Sequence, residues 1–139
     1  MAIRGLKAHT ARLRALPELA VRNVSKAVFA AAELIANEYA LSITRGSVSG
    51  AGHVASKPGE APNADTLRLS SSAGAVQLGR NSLKSEVVSP APYASALEFG
   101  TSKMAARPAL RPARDKKKKE ARDLVAKGLN AALKAARAG

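Results

Sequence analysis

Apolar side chains recur at helical spacing from residue 18 to about residue 44, a stretch that contains neither Gly nor Pro. Steps of three and four predict an amphipathic helix of about 27 residues, near 40 Å long. A second apolar series at steps of seven widens its apolar face, so we expect other elements to cover this helix on more than one side. The first series is Val21, Val24, Val28, Ala31, Ile35 and Tyr39, and the second is Ala20, Ala27, Leu34 and Leu41.

The rest of the pattern predicts two further helices and a hairpin. Residues 2–16 indicate a short helix that ends before Pro17, and residues 109–138 a long one. Residues 67–78 and 83–89 have the alternation of strands, and the turn residues 78–82 between them favour an antiparallel hairpin. The apolar side of the last helix is expected to hold Ala113, Ala121, Leu124, Val125, Gly128, Leu129, Ala132, Leu133 and Ala136.

A stretch rich in Gly, Ser, Ala and Pro, GSVSGAGHVASKPGEAPNAD, spans residues 46–65 and has neither period. A loop of this length is typically functional or mobile, and its prolines favour extended geometry. It is interpreted either as an arm that reaches a neighbouring subunit or as a mobile loop. The residues expected to contact a neighbour are Ser56, Lys57, Pro58, Gly59 and Pro62.

Together these elements predict one α+β domain over residues 1–139, with a long N-terminal helix and a basic C-terminal helix packed on a small antiparallel sheet. Its parts are a helical region, an extended loop, a β-hairpin region, a connector and the C-terminal helix. Their predicted bounds are residues 1–45, 46–66, 67–90, 91–108 and 109–139.

The composition favours an oligomer. Of the 139 residues 46% are hydrophobic, but nearly half of these are alanine, and aromatic residues make up only 3%. Such a core buries little area per residue, so neighbouring subunits would supply burial that the monomer lacks. There is no cysteine, hence no disulfide framework. We expect neither a secretory signal in the basic first 16 residues nor a membrane span.

The net charge of +13 lies mainly at the two ends of the chain. Residues 1–45 have seven basic and three acidic side chains, residues 46–102 four of each, and residues 103–139 twelve basic and three acidic. The C-terminal segment therefore carries +9, and it could face DNA, an acidic partner or solvent. Its candidate contacts are Lys116, Lys117, Lys118, Lys119 and Arg122.

Catalytic patterns are not found in the sequence. His9 and His53 have no second ligand at metal spacing, and there is no phosphate-binding glycine motif. We expect no enzymatic activity, cofactor or metal. A small histone-like DNA-binding protein is the alternative to a structural role, although no aromatic residues alternate with the basic ones as base stacking on single strands would require.

The most specific stretch is PYASALEFGTSKMAARPALRPARD, residues 92–115. Tyr93, Leu97 and Phe99 are expected to point into the core, and Gly100 to permit a turn. A buried Glu98 would need hydrogen-bond donors. Thr101, backbone N–H groups, Arg107 and Arg111 are the candidates, while Pro108 and Pro112 position the start of the last helix. These residues favour a structural joint, which connects the sheet to the last helix, over a catalytic loop or a nucleic-acid-binding segment.

The same residues, together with HVASKPGEAPNADTLRLS upstream, resemble the tail-completion (head–tail joining, or neck) family of long-tailed bacteriophages. The shared features are a Ser-Lys-Pro-Gly loop, a Tyr-Ala…Glu-Phe-Gly-Thr signature and an Arg-Pro-x-Leu-Arg-Pro-Ala start of the last helix. The resemblance covers about residues 53–113. This chain differs at Thr66-Leu67, where the family has Thr-Gly before the leucine, and at Ala109, where it has an aromatic residue.

The resemblance implies a structural protein of the virion, assembled in the host cytoplasm as a ring, expected to be hexameric, at the junction of head and tail. Implied partners are the tail terminator, the tail tube or head-closure and adaptor proteins, with genomic DNA passing through the lumen without sequence specificity. It does not distinguish a completion, a terminator and a head-closure ring.

Overall fold

Two long helices and a small antiparallel sheet form the fold, as the computed structural model shows for the residues that it describes, 18–45, 52, 54–62 and 68–138. The predicted α+β class is thereby confirmed. The predicted helix over residues 2–16 lies outside the described residues. The elements in chain order are α1 (Glu18–Thr44), α2 (Arg68–Ser72), β1 (Gly74–Gln77), β2 (Ser85–Val88), α3 (Ala94–Phe99) and α4 (Leu110–Ala138).

Helix α1 is the central element, in contact with α4, both strands and α2. The expectation that it is covered on more than one side is therefore confirmed. Its buried apolar residues are mostly alanines, followed by Tyr39 and Ile43 at its C-terminal end. The predicted second series does not continue to that end, because Leu41 is 49% exposed.

Helices α1 and α4 run antiparallel and approach each other closely. Lys116 near the start of α4 contacts Glu38 near the end of α1, whereas Gly128 further along α4 lies against Ala27. A Cβ atom placed on Gly128 would lie 2.4 Å from the Cβ of Ala27. The small residues at this crossing therefore set how near the two helices come.

The hairpin packs one face on α1. Ala75 pairs with Val87 and Gln77 with Ser85, and the Gln77 amide Nε2 donates a hydrogen bond to Ser25 Oγ on α1. Residues alternate between the two faces of a strand, so the pair of Val76 and Glu86 points away from α1. The turn has positive φ at Gly79 (151°) and Asn81 (55°), which both residue types tolerate.

The predicted first strand, residues 67–78, was wrong in its first part. Residues Arg68–Ser72 form the short helix α2, and the strand begins only at Gly74. Serine is a poor strand former, and its hydroxyl can bond to the backbone of the preceding turn. The Ser72 hydroxyl donates to the Leu69 carbonyl oxygen at 2.9 Å, while the buried Leu69 fixes α2 to the core.

The main cluster of buried residues lies where the end of α1 meets the start of α4. Ile43 is fully buried at its centre, and the Tyr39 hydroxyl is 3.2 Å from Ser89 Oγ in the segment after β2. The remaining members of the cluster are Leu69, Ala91, Ala109 and Ala113. This core fixes both ends of the connector between β2 and α4.

Candidate functional site

The connector between β2 and α4 is a compact joint built around α3. The N–H of Ala94 donates to the Ala91 carbonyl oxygen at 3.0 Å, and Ala94 and Leu97 pack against the core. Gly100 ends the helix with φ 77°, and its N–H donates to the Ala96 carbonyl oxygen at 2.8 Å. A Cβ on Gly100 would come within 2.9 Å of the Ala106 backbone nitrogen, so both conformation and space favour glycine there.

Glu98 links α3 to the beginning of α4. Its Oε2 accepts hydrogen bonds from the backbone N–H groups of Ala109 (2.9 Å) and Leu110 (3.0 Å), and its Oε1 accepts one from Arg111 (2.9 Å). These N–H groups begin a helix and have no acceptor within it. Among the partners expected for Glu98, the backbone N–H groups are those found, and a carboxylate also suits the positive end of the helix.

Two residues expected in the core face solvent instead. Tyr93 is 41% exposed and Phe99 is 75% exposed. Helix α3 has only six residues, and the side that carries Ala94 and Leu97 packs inward. Phe99 follows Leu97 by two positions, which places it on the opposite side of a helix with 3.6 residues per turn. The prediction was thus correct for Leu97 and wrong for Tyr93 and Phe99.

The exposed Phe99 borders an open groove of about 370 Å³ between α1, β2 and the start of α4. We call it the Phe99 groove. Its floor is largely apolar, and two arginines stand on the α4 side. Its lining residues are Ile35, Val87, Glu98, Phe99, Leu110, Arg111 and Arg114.

The remaining signature residues shape the backbone after α3. Thr101 and Met104 bond to each other through their backbones in a tight turn, with N to O distances of 2.8 and 3.3 Å. The Arg107 N–H donates to the Leu97 carbonyl oxygen at 2.6 Å, and its buried Nε has no acceptor among the described residues. Pro108 is half-buried ahead of α4, and Pro112 lies in its first turn, where a missing N–H costs little.

The described part of the Gly-rich loop rests on this joint. The Gly59 N–H donates to the Ala106 carbonyl oxygen at 2.9 Å, and the Glu60 N–H donates to the Lys57 carbonyl oxygen at 3.1 Å. Ser56 and Pro62 are buried within the same chain, whereas the turn of Lys57, Pro58 and Gly59 is exposed. Contact with a neighbouring subunit thus remains a prediction, and the other parts of the loop lie outside the described residues.

The five predicted basic contacts differ in their surroundings. Lys116 Nζ lies 2.6 Å from Glu38 Oε1, and Lys117 Nζ lies 3.0 Å from Glu120 Oε2. Lys118, Lys119 and Arg122 are exposed and form no ion pair with another described residue. Lys116 and Lys117 therefore form ion pairs within the chain, whereas Lys118, Lys119 and Arg122 are free to contact a partner.

Sequence reasoning missed Glu38, whose side chain is only 6% exposed. The Lys116 hydrogen bond, with further attraction from Arg45 3.8 Å away and from Lys117, lowers the pKa of Glu38 although burial opposes the shift. The sequence pattern did indicate that Glu38 could be buried. Glu38 immediately precedes Tyr39 and follows Ile35 by three positions, so it borders the predicted apolar face.

Within the described ranges, no three or more His, Cys, Asp or Glu side chains are grouped so that they could hold a metal ion. No helix in the part of the chain that the structure describes has the length and apolar character of a membrane span. Comparison with protein-family models, with curated proteins and with solved structures gave no match.

Proposed function

We propose that this chain is a structural component of the head–tail junction of a long-tailed bacteriophage. It assembles as a ring, expected to be hexameric, that completes the tail and joins it to the capsid while DNA passes through the lumen. One observation supports this most: the Tyr-Ala…Glu-Phe-Gly-Thr stretch builds a joint through Glu98 and Gly100 and leaves Phe99 75% exposed beside an open groove. An exposed aromatic residue on a rigid support is typical of an assembly surface.

The way the signature residues are used is consistent with a structural role. Both carboxylate oxygens of Glu98 accept hydrogen bonds from the backbone N–H groups that begin α4. Gly100 adopts a positive φ that favours glycine. Leu97 packs against the core. These interactions hold the basic helix at a fixed angle to the sheet, which a subunit with defined neighbours needs.

The proposed partners are further copies of this chain in the ring, with a tail terminator, tail tube or head-closure protein above or below it. The outward face of α4 would meet DNA or an acidic partner through Lys118, Lys119 and Arg122. The protein would thus reside in the neck of the virion, after assembly in the host cytoplasm.

Two measurements test this proposal on the full chain. Light scattering of the purified protein, alone and with tail proteins, is expected to give the mass of a ring. In particles formed without this protein, electron microscopy is expected to show heads and tails that have not joined, and adding it should restore joining. A chain that stays monomeric under both conditions and never enters the neck would refute the proposal.

A histone-like DNA-binding protein is the second candidate, supported by the exposed Lys118, Lys119 and Arg122. It predicts strong duplex binding by the free protein that weakens steeply with salt, because phosphate contacts release counterions. Replacing these three residues with glutamine should then abolish function. In a neck protein the same change should leave ring assembly intact and affect DNA retention alone.

A further inference from the structure

Besides the Phe99 groove, the described residues present a second exposed apolar surface, on the hairpin. Val76 and Leu78 are 45% and 50% exposed, and Glu86, the cross-strand partner of Val76, lies beside them. We call this surface the hairpin face. Covering Val76 and Leu78 would remove apolar area from water and so stabilise the fold.

The hairpin face and the Phe99 groove lie on opposite sides of one sheet. Glu86 and Val87 are consecutive residues of β2, and consecutive residues of a strand point to opposite faces. Glu86 belongs to the hairpin face, whereas Val87 lines the groove. Two complementary surfaces on opposite sides of a subunit allow copies to join head to tail.

The charges favour this arrangement over pairing of two identical surfaces. Among the described residues, neither the Arg111 guanidinium nor the Glu86 carboxylate forms an ion pair, while Arg114 is paired with Asp115 at 2.8 Å. Two grooves placed together would bring Arg111 near its own copy. The hairpin face instead presents the carboxylate of Glu86, so placing it in the groove sets an acidic group beside Arg111.

We propose that the hairpin face of one copy occupies the Phe99 groove of the next copy, with Glu86 facing Arg111 across the contact. Val76 and Leu78 then cover Phe99 and the apolar floor of the groove. Each copy offers one hairpin face and one groove, so the contact repeats and closes into a ring when the rotation allows. This rests on the proposed ring and identifies the two surfaces that build it.

Disulfide trapping tests the contact, since the chain contains no cysteine of its own. The variants Glu86→Cys and Arg111→Cys are purified separately and mixed so that their subunits exchange. The mixture is then mildly oxidised. A disulfide needs Cα atoms within about 7 Å, so the mixture is expected to yield cross-linked dimers that each variant alone does not. Cross-linking of Arg111→Cys with itself would indicate groove-to-groove pairing and overturn the proposal.

Charge reversal provides a second test. Glu86→Lys or Arg111→Glu alone is expected to reduce the assembled fraction in sedimentation, and the double variant to recover it. Glu33→Lys, an exposed position on α1 outside both surfaces, is the matched control and should assemble like wild type. Circular dichroism confirms that each variant is folded.

The outcomes separate this inference from the proposed function. A wild-type ring that neither cross-links between positions 86 and 111 nor responds to charge reversal would overturn the inference and leave the neck function standing. A wild-type chain that stays monomeric alone and with its tail partners would overturn both. Binding of a different protein to the groove of an assembled ring would likewise exclude a second copy as its occupant.

Discussion

Lys116 Nζ lies 2.6 Å from Glu38 Oε1, which ties the first lysine of a run of four on α4 to a buried carboxylate on α1. From the sequence alone, the run could face DNA, an acidic partner or solvent. Its first member instead joins the two long helices, and Lys117 pairs with Glu120. The basic surface that remains for a partner therefore begins at Lys118.

Replacing Lys116 with methionine is expected to destabilise the protein. The buried Glu38 would lose its closest donor and keep only Arg45, 3.8 Å away, so the free energy of unfolding should fall by about 1–3 kcal/mol. Lys118→Met removes the same charge from an exposed position, and its effect should stay within about 0.5 kcal/mol. Urea unfolding of both variants measures the difference, and equal stabilities would contradict the role of Lys116.

Glu38 should also make stability depend on acid pH. Its pKa is lowered in the folded state, chiefly by the Lys116 hydrogen bond, so the folded state favours the ionised form. This contribution is complete above the pKa of an unfolded glutamate, about 4.3, and is lost as the pH falls from there through the lowered pKa. The stability difference between wild type and Glu38→Gln should therefore shrink in that window.

Chemical unfolding over a series of pH values measures this difference. Subtracting the variant removes the contributions of the other carboxylates, which titrate in both proteins. A difference that stayed constant, or grew as the pH fell, would show that the interaction with Lys116 does not favour the ionised form of Glu38.

Gly128 is expected to be required where α4 crosses α1. Alanine is favoured over glycine inside a helix by about 1 kcal/mol, yet its Cβ would lie 2.4 Å from the Cβ of Ala27. The overlap should dominate, so that Gly128→Ala lowers the free energy of unfolding by about 1–3 kcal/mol.

Two further variants separate overlap from helix propensity. Adding Ala27→Gly to Gly128→Ala restores the space and should recover stability relative to the single variant, whereas Ala131→Gly on the exposed side of α4 should cost about 1 kcal/mol from propensity alone. If Gly128→Ala stabilised the protein, α1 and α4 could move apart at this crossing without loss of stability.

The long elements could be predicted because their periodicity is repeated many times. Helix α1 was predicted with its observed bounds, and α4 begins one residue after the predicted start. The five-residue helix α2 was missed, since one turn shows no period, and its position depends on Leu69 entering the core. The orientation of Phe99 was missed for a similar reason: in a six-residue helix, packing at Leu97 decides which side is buried.

The contacts that define the candidate site join residues far apart in the sequence. Glu38 and Lys116 are separated by 78 positions, and the Phe99 groove combines residues from α1, β2, α3 and α4. Hydrophobic pattern predicts which side of each element is apolar, but not the angle at which the elements meet. For Glu98, backbone N–H groups were one of several candidates beside Thr101, Arg107 and Arg111, and the sequence did not select among them.

Glu98→Ala is expected to loosen the start of α4. The N–H groups of Ala109, Leu110 and Arg111 would lose their acceptor, and since Ala109 is buried, water is a poor replacement. The free energy of unfolding should fall by about 1–3 kcal/mol. Glu98→Gln keeps one acceptor oxygen but loses the charge, so its loss should be smaller. Faster hydrogen exchange at these three amides in the alanine variant would place the effect at the joint, and unchanged exchange there would contradict it.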